Sequence, residues 1–454
     1  MTPAKRGTWK NRETISTVFQ MAWPSVLESF FVALVGLVDT FMVSGLGAPA
    51  VAAVGLTAQP KFIVLALFLS VNVSLAAVTA RRRGQQDRQG ANQALLCALY
   101  YVFIVGIAAS AAAVYYAEDI MLLCGAREET VGGATLYFQI VTGGMMFNIV
   151  SLAINAAQRG AGNTKIAMIT NVTANLVNVA GNYLLIEGRL GFPAWGIKGA
   201  AAATVAGTVL ACIMSIMSVM RPDCFISIPY IWKERIRPGI DTFKRLLGLG
   251  SNIFAEQLLM RIGFMATAVM AARLGTETIA AHQVGMNVIG LSFSLGDGMQ
   301  AAAVALIGRS LGEQNPDLAQ KYGNTCLRLG IVIATSLSGF YLFGGEWLYS
   351  KFFREKEIIA MGVTIIRLIA VIIFLQISQT IYMGCLRGAG DVRFTMAAST
   401  FSALVVRTAV SYLLCFVLNL GIRGIWLGIM GDQLSRCLLG GYRFRSGKWT
   451  GITI

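Results

Sequence analysis

The chain has 454 residues, of which 56% are hydrophobic and only 13% charged, with a net charge of +15 and a mean hydropathy of +0.66. That balance excludes an ordinary soluble enzyme. The basic residues lie mainly in short segments between long apolar runs, and no zinc finger or continuous basic groove accompanies them, so the charge points to a membrane surface rather than to nucleic acid.

The eight cysteines, at 97, 124, 212, 224, 326, 385, 415 and 437, form no CxxC pair, which argues against both a disulfide framework and a thiolate metal site. The basic opening MTPAKRGTWKNRETISTVFQ runs straight into an apolar stretch without a small-residue cleavage site, and the first span is expected to be retained.

Twelve apolar segments follow, each long enough to cross about 30 Å of hydrocarbon at about 1.5 Å per residue. They are expected over 15–43, 51–79, 93–117, 129–157, 167–187 and 195–220, and then over 246–272, 279–307, 323–343, 356–385, 395–418 and 422–440. Runs such as IVIATSLSGFYLFG do not alternate, which excludes a membrane β-barrel.

The first span holds Pro24, Glu28 and Asp39, and an intramembrane acid is expensive enough that each is a candidate for function or for a buried partner. The fifth carries Asn171, Asn175, Asn178 and Asn182 at helical spacing, a polar stripe that must face another helix or a wet cavity. Between the sixth and seventh spans lies the longest polar connector, RPDCFISIPYIWKERIRPGIDTFKR at 221–245, with three prolines and a basic, amphipathic character suited to the inner membrane surface. The seventh span places Asn252 and Glu256 on one face, whereas Arg261 points elsewhere. In the eighth, His282 reads as structural, and Asp297 lies between two glycines where it either lines a cleft or caps a helix break. Arg367, Arg407 and Asp432 read as headgroup contacts or structural partners.

With a cytoplasmic N-terminus, the inside segments hold 23 basic residues and the outside ones 8. The inside set includes Lys5, Arg6, Lys10, Arg81, Arg82, Arg83, Arg88 and Arg443, and the outside set Arg127, Arg189 and Arg354. This bias puts both termini in the cytoplasm.

The chain also repeats at an offset of 228 residues. Arg159-Gly160-Ala161-Gly162 returns as Arg387-Gly388-Ala389-Gly390, and Leu46-Gly47 returns as Leu274-Gly275. Gly84 and Gln86 return as Gly312 and Gln314, and separately, at an offset of 225, GIKG at 196–199 echoes GIRG at 421–424. Six spans per half place both halves in the same sense across the membrane, an arrangement suited to alternating access. The expected domains are a lobe over 1–220, a cytoplasmic linker over 221–245 and a lobe over 246–454. No Walker A, HExxH or G-x-S-x-G pattern provides a seat for catalysis, and the energy source is expected to be an ion gradient or the substrate's own.

Together WPSVLES, VDTFMVSGLG, NAAQRGAGNTK, NLVNVAGNYLLIEG, GFPAWGIKGAAAAT, AARLGTETIAAHQVG and MGCLRGAGD closely resemble motifs of the multidrug and toxic compound extrusion (MATE) transporters over about residues 15–440. The resemblance implies an all-α membrane protein of the bacterial cytoplasmic membrane, with twelve helices in two pseudo-symmetric six-helix lobes around a central cleft. It implies export of amphiphilic, often cationic small molecules in exchange for H+ or Na+, with membrane lipids around it, no cofactor, no nucleic-acid partner and a monomeric working form. Asp39 matches the first-helix acid of the N-lobe ion site and Asn178 its asparagine, while Asn182 stands where the branch named for the DNA-damage-inducible protein has an aspartate. Glu256 matches the seventh-helix acid of the norfloxacin-exporter branch, and Gln376 falls about where that branch has a tenth-helix aspartate. Ion coupling is therefore expected at Asp39, Asn178, Asn182 and Glu256, with any sodium held at Asp39 and Asn178. The substrate cleft is expected at Asp39, Glu256, Gln257, Asp297 and Gln376. A lipid-linked precursor flippase of the wider exporter superfamily is the alternative, although its anionic cargo would favour basic groups over these acids.

Overall fold

The computed structural model describes residues 3–352 and 355–452, with side chains throughout that range except at 3–11, 37, 48, 276 and 352. The side chains of Lys5, Arg6 and Lys10 and the whole of Arg354, all part of the basic bias, lie outside the described residues.

Helices account for nearly the whole chain. The first half runs α1 (Pro3–Ser44), α2 (Ala48–Gly84), α3 (Arg88–Tyr115), the short α4 (Ala117–Leu123), α5 (Glu128–Gly143), α6 (Met145–Gly160), α7 (Thr164–Leu185) and α8 (Ile197–Val219). After the short α9 (Ile228–Lys233) come α10 (Ile240–Arg273), α11 (Thr276–Gly312), α12 (Pro316–Phe352), α13 (Lys356–Ala389), α14 (Val392–Thr400), α15 (Thr408–Tyr412) and α16 (Ile422–Arg445). Segments 401–407 and 413–417, on either side of α15, wind as π-helix within one continuous span.

Among the described residues, nine helical spans are long and apolar enough to cross a bilayer, and α5 with α6 forms a tenth that bends by 45°. The remaining two long helices, α7 and α16, complete twelve. They are less apolar because one carries the asparagine stripe and the other Asp432, Arg436 and further arginines. Several helices overrun the expected spans, as α12 does over 323–343, because their polar ends keep the helical pattern beyond the hydrocarbon.

The internal repeat is a repeat of geometry. Gln86 and Gln314 both take positive φ, 57° and 55°, and Gly162 and Gly390 take 91° and 90°. Asp87 accepts from the Gly90 N–H at the start of α3, as Asn315 does from Leu318 at the start of α12. A Cβ on Gly160 would lie 2.4 Å from the Ala76 carbonyl oxygen, and one on Gly388 would lie 2.6 Å from that of Val304. The repeated Arg-Gly-Ala-Gly segment thus brings α6 against α2 and α13 against α11 in the same way, backbone to backbone.

The chain divides into two compact units, Leu27–Ser251 and Met1–Val26 with Asn252–Ile454. Relative to lobes over 1–220 and 246–454, this division places the start of α1 with the later unit and the connector with the earlier one. In the Leu27–Ser251 unit the core gathers Phe68, Leu75, Leu95, Ile149 and Ile154. In the other, Ile369, Ile373, Ile381, Trp426 and Phe444 are central.

The connector is strapped to the head of α3. Arg88 donates to the carbonyls of Pro222, Cys224 and Phe225, and its guanidinium lies 4.1 Å from the Tyr230 ring. Asn92 donates to the Phe225 carbonyl at 2.9 Å and accepts from the Ser227 N–H at 2.8 Å.

Candidate ion and substrate site

In the Leu27–Ser251 unit, α1 presents Glu28 and Asp39 to the asparagine face of α7. Glu28 Oε1 accepts from Arg159 Nη1 at 2.8 Å and from Asn171 Nδ2. Further along, Asn182 Nδ2 donates to Asp39 Oδ1 at 2.7 Å and to Asn178 Oδ1 at 3.1 Å. Asn178 Nδ2 in turn donates to Thr204 Oγ1 on α8 at 3.0 Å. The stripe therefore does two jobs: one end joins helices through Glu28, and the other orients Asp39.

Asp39 opens onto a cavity of about 280 Å³, whose polar lining comprises Asp39, Thr40, Lys61, Tyr137, Asn182 and Thr204. Valines 43, 51 and 54 supply apolar wall. Asn182 Oδ1 is buried without a hydrogen-bond partner among the described residues. A carboxylate beside an unengaged amide oxygen can take a proton or a hard monovalent cation, whereas softer metals prefer nitrogen and sulfur donors. Of the two amide oxygens, that of Asn178, expected with Asp39 as a sodium ligand, accepts one hydrogen bond from Asn182 and keeps a second lone pair, while that of Asn182 has no partner among the described residues. Among the described residues no three His, Cys, Asp or Glu side chains gather as a metal site.

Lys61 is the charged cavity residue that the sequence analysis does not single out. A lysine in the run AQPKFIVLAL, well inside an apolar span, is the signal that marks it.

In the second unit Glu256 is 1% exposed and tied down. Arg387 Nη2 donates to it at 2.8 Å, Arg387 Nη1 reaches Gln300 Oε1 at 3.0 Å, and Thr395 Oγ1 stands 3.5 Å from the second carboxylate oxygen. Gln257, one residue on, is half-buried. Gln376 is fully buried and neither amide atom has a partner among the described residues. Asp297 lies inside the unbroken α11, so the helix-break reading does not hold. The glycine after it serves close packing, since a Cβ on Gly298 would sit 2.4 Å from Val26 Cα. Arg407 and Asp432 are partners: Asp432 accepts from Arg407 at 3.3 Å and from Arg436 Nε and Nη2, each at 2.7 Å. His282 lies with its ring centroid 5.5 Å from that of Trp426.

The offset of 228 sorts these groups. Glu28 and Arg159 correspond to Glu256 and Arg387, so the ion pair belongs to both units. Asp39 and Lys61 correspond to Thr267 and Ile289, so the acid and the lysine of the cavity belong to one.

Twelve membrane-crossing segments in a repeated order, with a polar acid-bearing cavity inside one unit, define an integral membrane transporter rather than an enzyme. The MatE family model matches residues 24–184 and again 253–413, and the chain belongs to that family. It is 25% identical to the "Uncharacterized transporter YisQ" of Bacillus subtilis (strain 168), covering 95% of this chain and 94% of that one. It is 24% identical to the "Probable multidrug resistance protein NorM" of Thermotoga maritima, covering 95% and 92%. A solved structure described as the "Outward-facing conformation of a multidrug resistance MATE family transporter of the MOP superfamily" superposes with a TM-score of 0.89 at 22% identity, covering 96% of this chain and 97% of that one.

Proposed function

We propose that the protein is an antiporter that exports amphiphilic, often cationic small molecules by alternating access, in exchange for a cation bound at Asp39. The observation that carries this reading is Asp39, oriented by Asn182 on a polar cavity, at a position where the other repeat has Thr267. A group that both units share is accounted for by the fold they share. One that a single unit keeps, at the cost of burying polar side chains in a membrane protein, calls for a task.

Protons are the favoured coupling ion over sodium. Gln376 is neutral and brings no anionic oxygen, and the cavity around Asp39 already contains a positive side chain in Lys61. Lobes over 1–220 and 246–454, joined by the 221–245 connector on the cytoplasmic side, are the proposed moving bodies. A monomer in the bacterial cytoplasmic membrane is the proposed working form. The related NorM proteins, named for multidrug resistance, support the substrate class.

The test uses purified protein in liposomes under an imposed pH gradient or sodium gradient, each at clamped potential, with a fluorescent organic cation as cargo. The pH gradient is expected to drive accumulation and Asp39→Asn to abolish it. Accumulation by Asp39→Asn at the wild-type rate under either ion would remove Asp39 from the coupling role.

A further inference from the structure

Lys61 lines the same cavity as Asp39, so an ammonium and a carboxylate share one space. Among the described residues no ion pair of 4.0 Å or less joins them, so the ammonium is not seated on the carboxylate. The other polar groups on the cavity wall, Thr40 from α1, Tyr137 from α5, Asn182 from α7 and Thr204 from α8, carry no charge at neutral pH, which leaves Asp39 and Lys61 as an isolated pair.

We propose that Lys61 is a tethered cation that competes with external cations for Asp39 and so sets how tightly the site binds its coupling ion. The coupling role of Asp39 rests on the function proposed above; the competition itself does not. With Asp39 ionised, the cavity is neutral. Any cation that enters raises it to a net positive charge between apolar walls, where like charges repel more strongly than in water. The ammonium rides on a flexible four-carbon stem with three rotatable donors, so it can swing onto Asp39 and also reach the open Asn182 oxygen. Because it is attached to the protein, its local concentration stays high whatever the medium contains.

The repeat supplies an independent observation. In the second unit, the positions corresponding to Asp39 and Lys61 are Thr267 and Ile289, so the acid and the lysine are present together in one unit and absent together from the other. That is the pattern of one device rather than of two unrelated polar residues. A lysine kept only for packing or for a headgroup would have no reason to follow the acid. The advantage to a transporter is release: a site that a tethered competitor can refill lets go of its ion without a separate step to weaken it.

The test measures equilibrium binding of radiolabelled sodium to the full-length protein in nanodiscs at about pH 8.5, where an ordinary carboxylate is ionised and an ordinary lysine protonated. Choline replaces sodium in the controls, and size-exclusion profiles check the folding of each variant. Lys61→Gln and Lys61→Met are expected to bind sodium about ten-fold or more tightly than wild type, a change of about 1.4 kcal/mol. Lys61→Arg, which keeps the charge, is expected to stay at the wild-type level. The gain is expected to vanish in the Asp39→Asn, Lys61→Gln double variant. The proposal is overturned by a Lys61→Gln affinity within about two-fold of wild type, by a Lys61→Arg gain equal to that of Lys61→Gln, or by a gain that survives loss of Asp39. Because binding is read without transport, a protein that gains sodium affinity yet moves no cargo would sink the exporter reading and leave this one standing.

Discussion

Arg387 Nη2 donates to Glu256 Oε1 at 2.8 Å, and Arg159 Nη1 donates to Glu28 Oε1 at the same distance, with the partners 131 positions apart in sequence in both cases. Each arginine begins an Arg-Gly-Ala-Gly segment and each glutamate lies in the first long helix of its repeat. The pairing joins the helix that opens a repeat to the end of the fourth span, a long-range connection that local propensity cannot supply. Glu256 is therefore committed to a partner before any substrate arrives.

That commitment sets the first prediction. Glu256→Gln takes from the buried Arg387 the carboxylate it donates to, and breaking a buried pair from one side costs about 3–5 kcal/mol. A lowered thermal transition in detergent is expected, with transport reduced for neutral and cationic cargo alike. The double variant Glu256→Gln, Arg387→Met is expected to recover much of the lost stability. Selective loss of cationic cargo with an unchanged transition would instead make Glu256 a substrate contact.

Gly160 and Gly388 make the second prediction, because their missing Cβ atoms are what let paired helices approach. An alanine would place a Cβ 2.4 Å from the Ala76 oxygen or 2.6 Å from the Val304 oxygen, both backbone atoms that a rotamer change cannot move. Overpacking of this kind costs about 1–3 kcal/mol. Gly160→Ala and Gly388→Ala are each expected to lower the thermal transition, whereas alanine at Gly36, which has nothing within 4 Å, is expected to leave it unchanged.

Much of this arrangement was legible in the sequence, and its particular omissions have physical causes. Asp39 and the asparagine stripe announce themselves because polar groups at helical spacing inside an apolar run must find partners, and Asn182 does reach Asp39. The repeat offset already aligned Arg159 with Arg387 and Glu28 with Glu256, but which acid meets which base depends on helix packing and not on spacing. The bend of the fourth span at Gly144 was hidden for a similar reason. A Cβ there would meet Val205 of α8 at 2.7 Å, a contact 61 residues away in sequence. Lys61 could have been found from its position alone, since a lysine deep in an apolar run raises the same question as an aspartate.

Third, the stripe should grade in effect along its length. Asn182 orients Asp39 and keeps an unpartnered oxygen, whereas Asn178 points its amide at Thr204 and reaches Asp39 only through Asn182. Asn182→Ala is expected to cut gradient-driven transport by about ten-fold, a loss of about 1.4 kcal/mol, and Asn178→Ala by less. Asn175, which donates to the Asn171 carbonyl on its own helix, is expected to tolerate alanine with near wild-type transport. Equal losses at all three positions, at matched expression, would mean that the stripe acts through helix packing and not through Asp39.

The last prediction concerns orientation, for which the 23-to-8 basic bias and the contacts within each unit give separate arguments. Arg88, just after the Arg81–Arg83 cluster, donates to three carbonyls of the connector, so the 80–90 turn and the 221–245 segment lie on one side of the membrane whichever side that is. Arg443 Nε donates to Asp391 Oδ2 at 2.6 Å, which likewise keeps the end of α16 beside the turn that follows α13. The 186–194 segment, by contrast, lies beyond the far end of α7, whose 22 residues at about 1.5 Å each span roughly the thickness of the hydrocarbon. Reporters placed in 80–90, in 221–245 and after residue 448 are expected to report the cytoplasm, and one in 186–194 the outside. A split result between 80–90 and 221–245 would contradict the Arg88 strap itself. Agreement of those two on the outer side would keep the strap and reverse the orientation that the charge bias assigns.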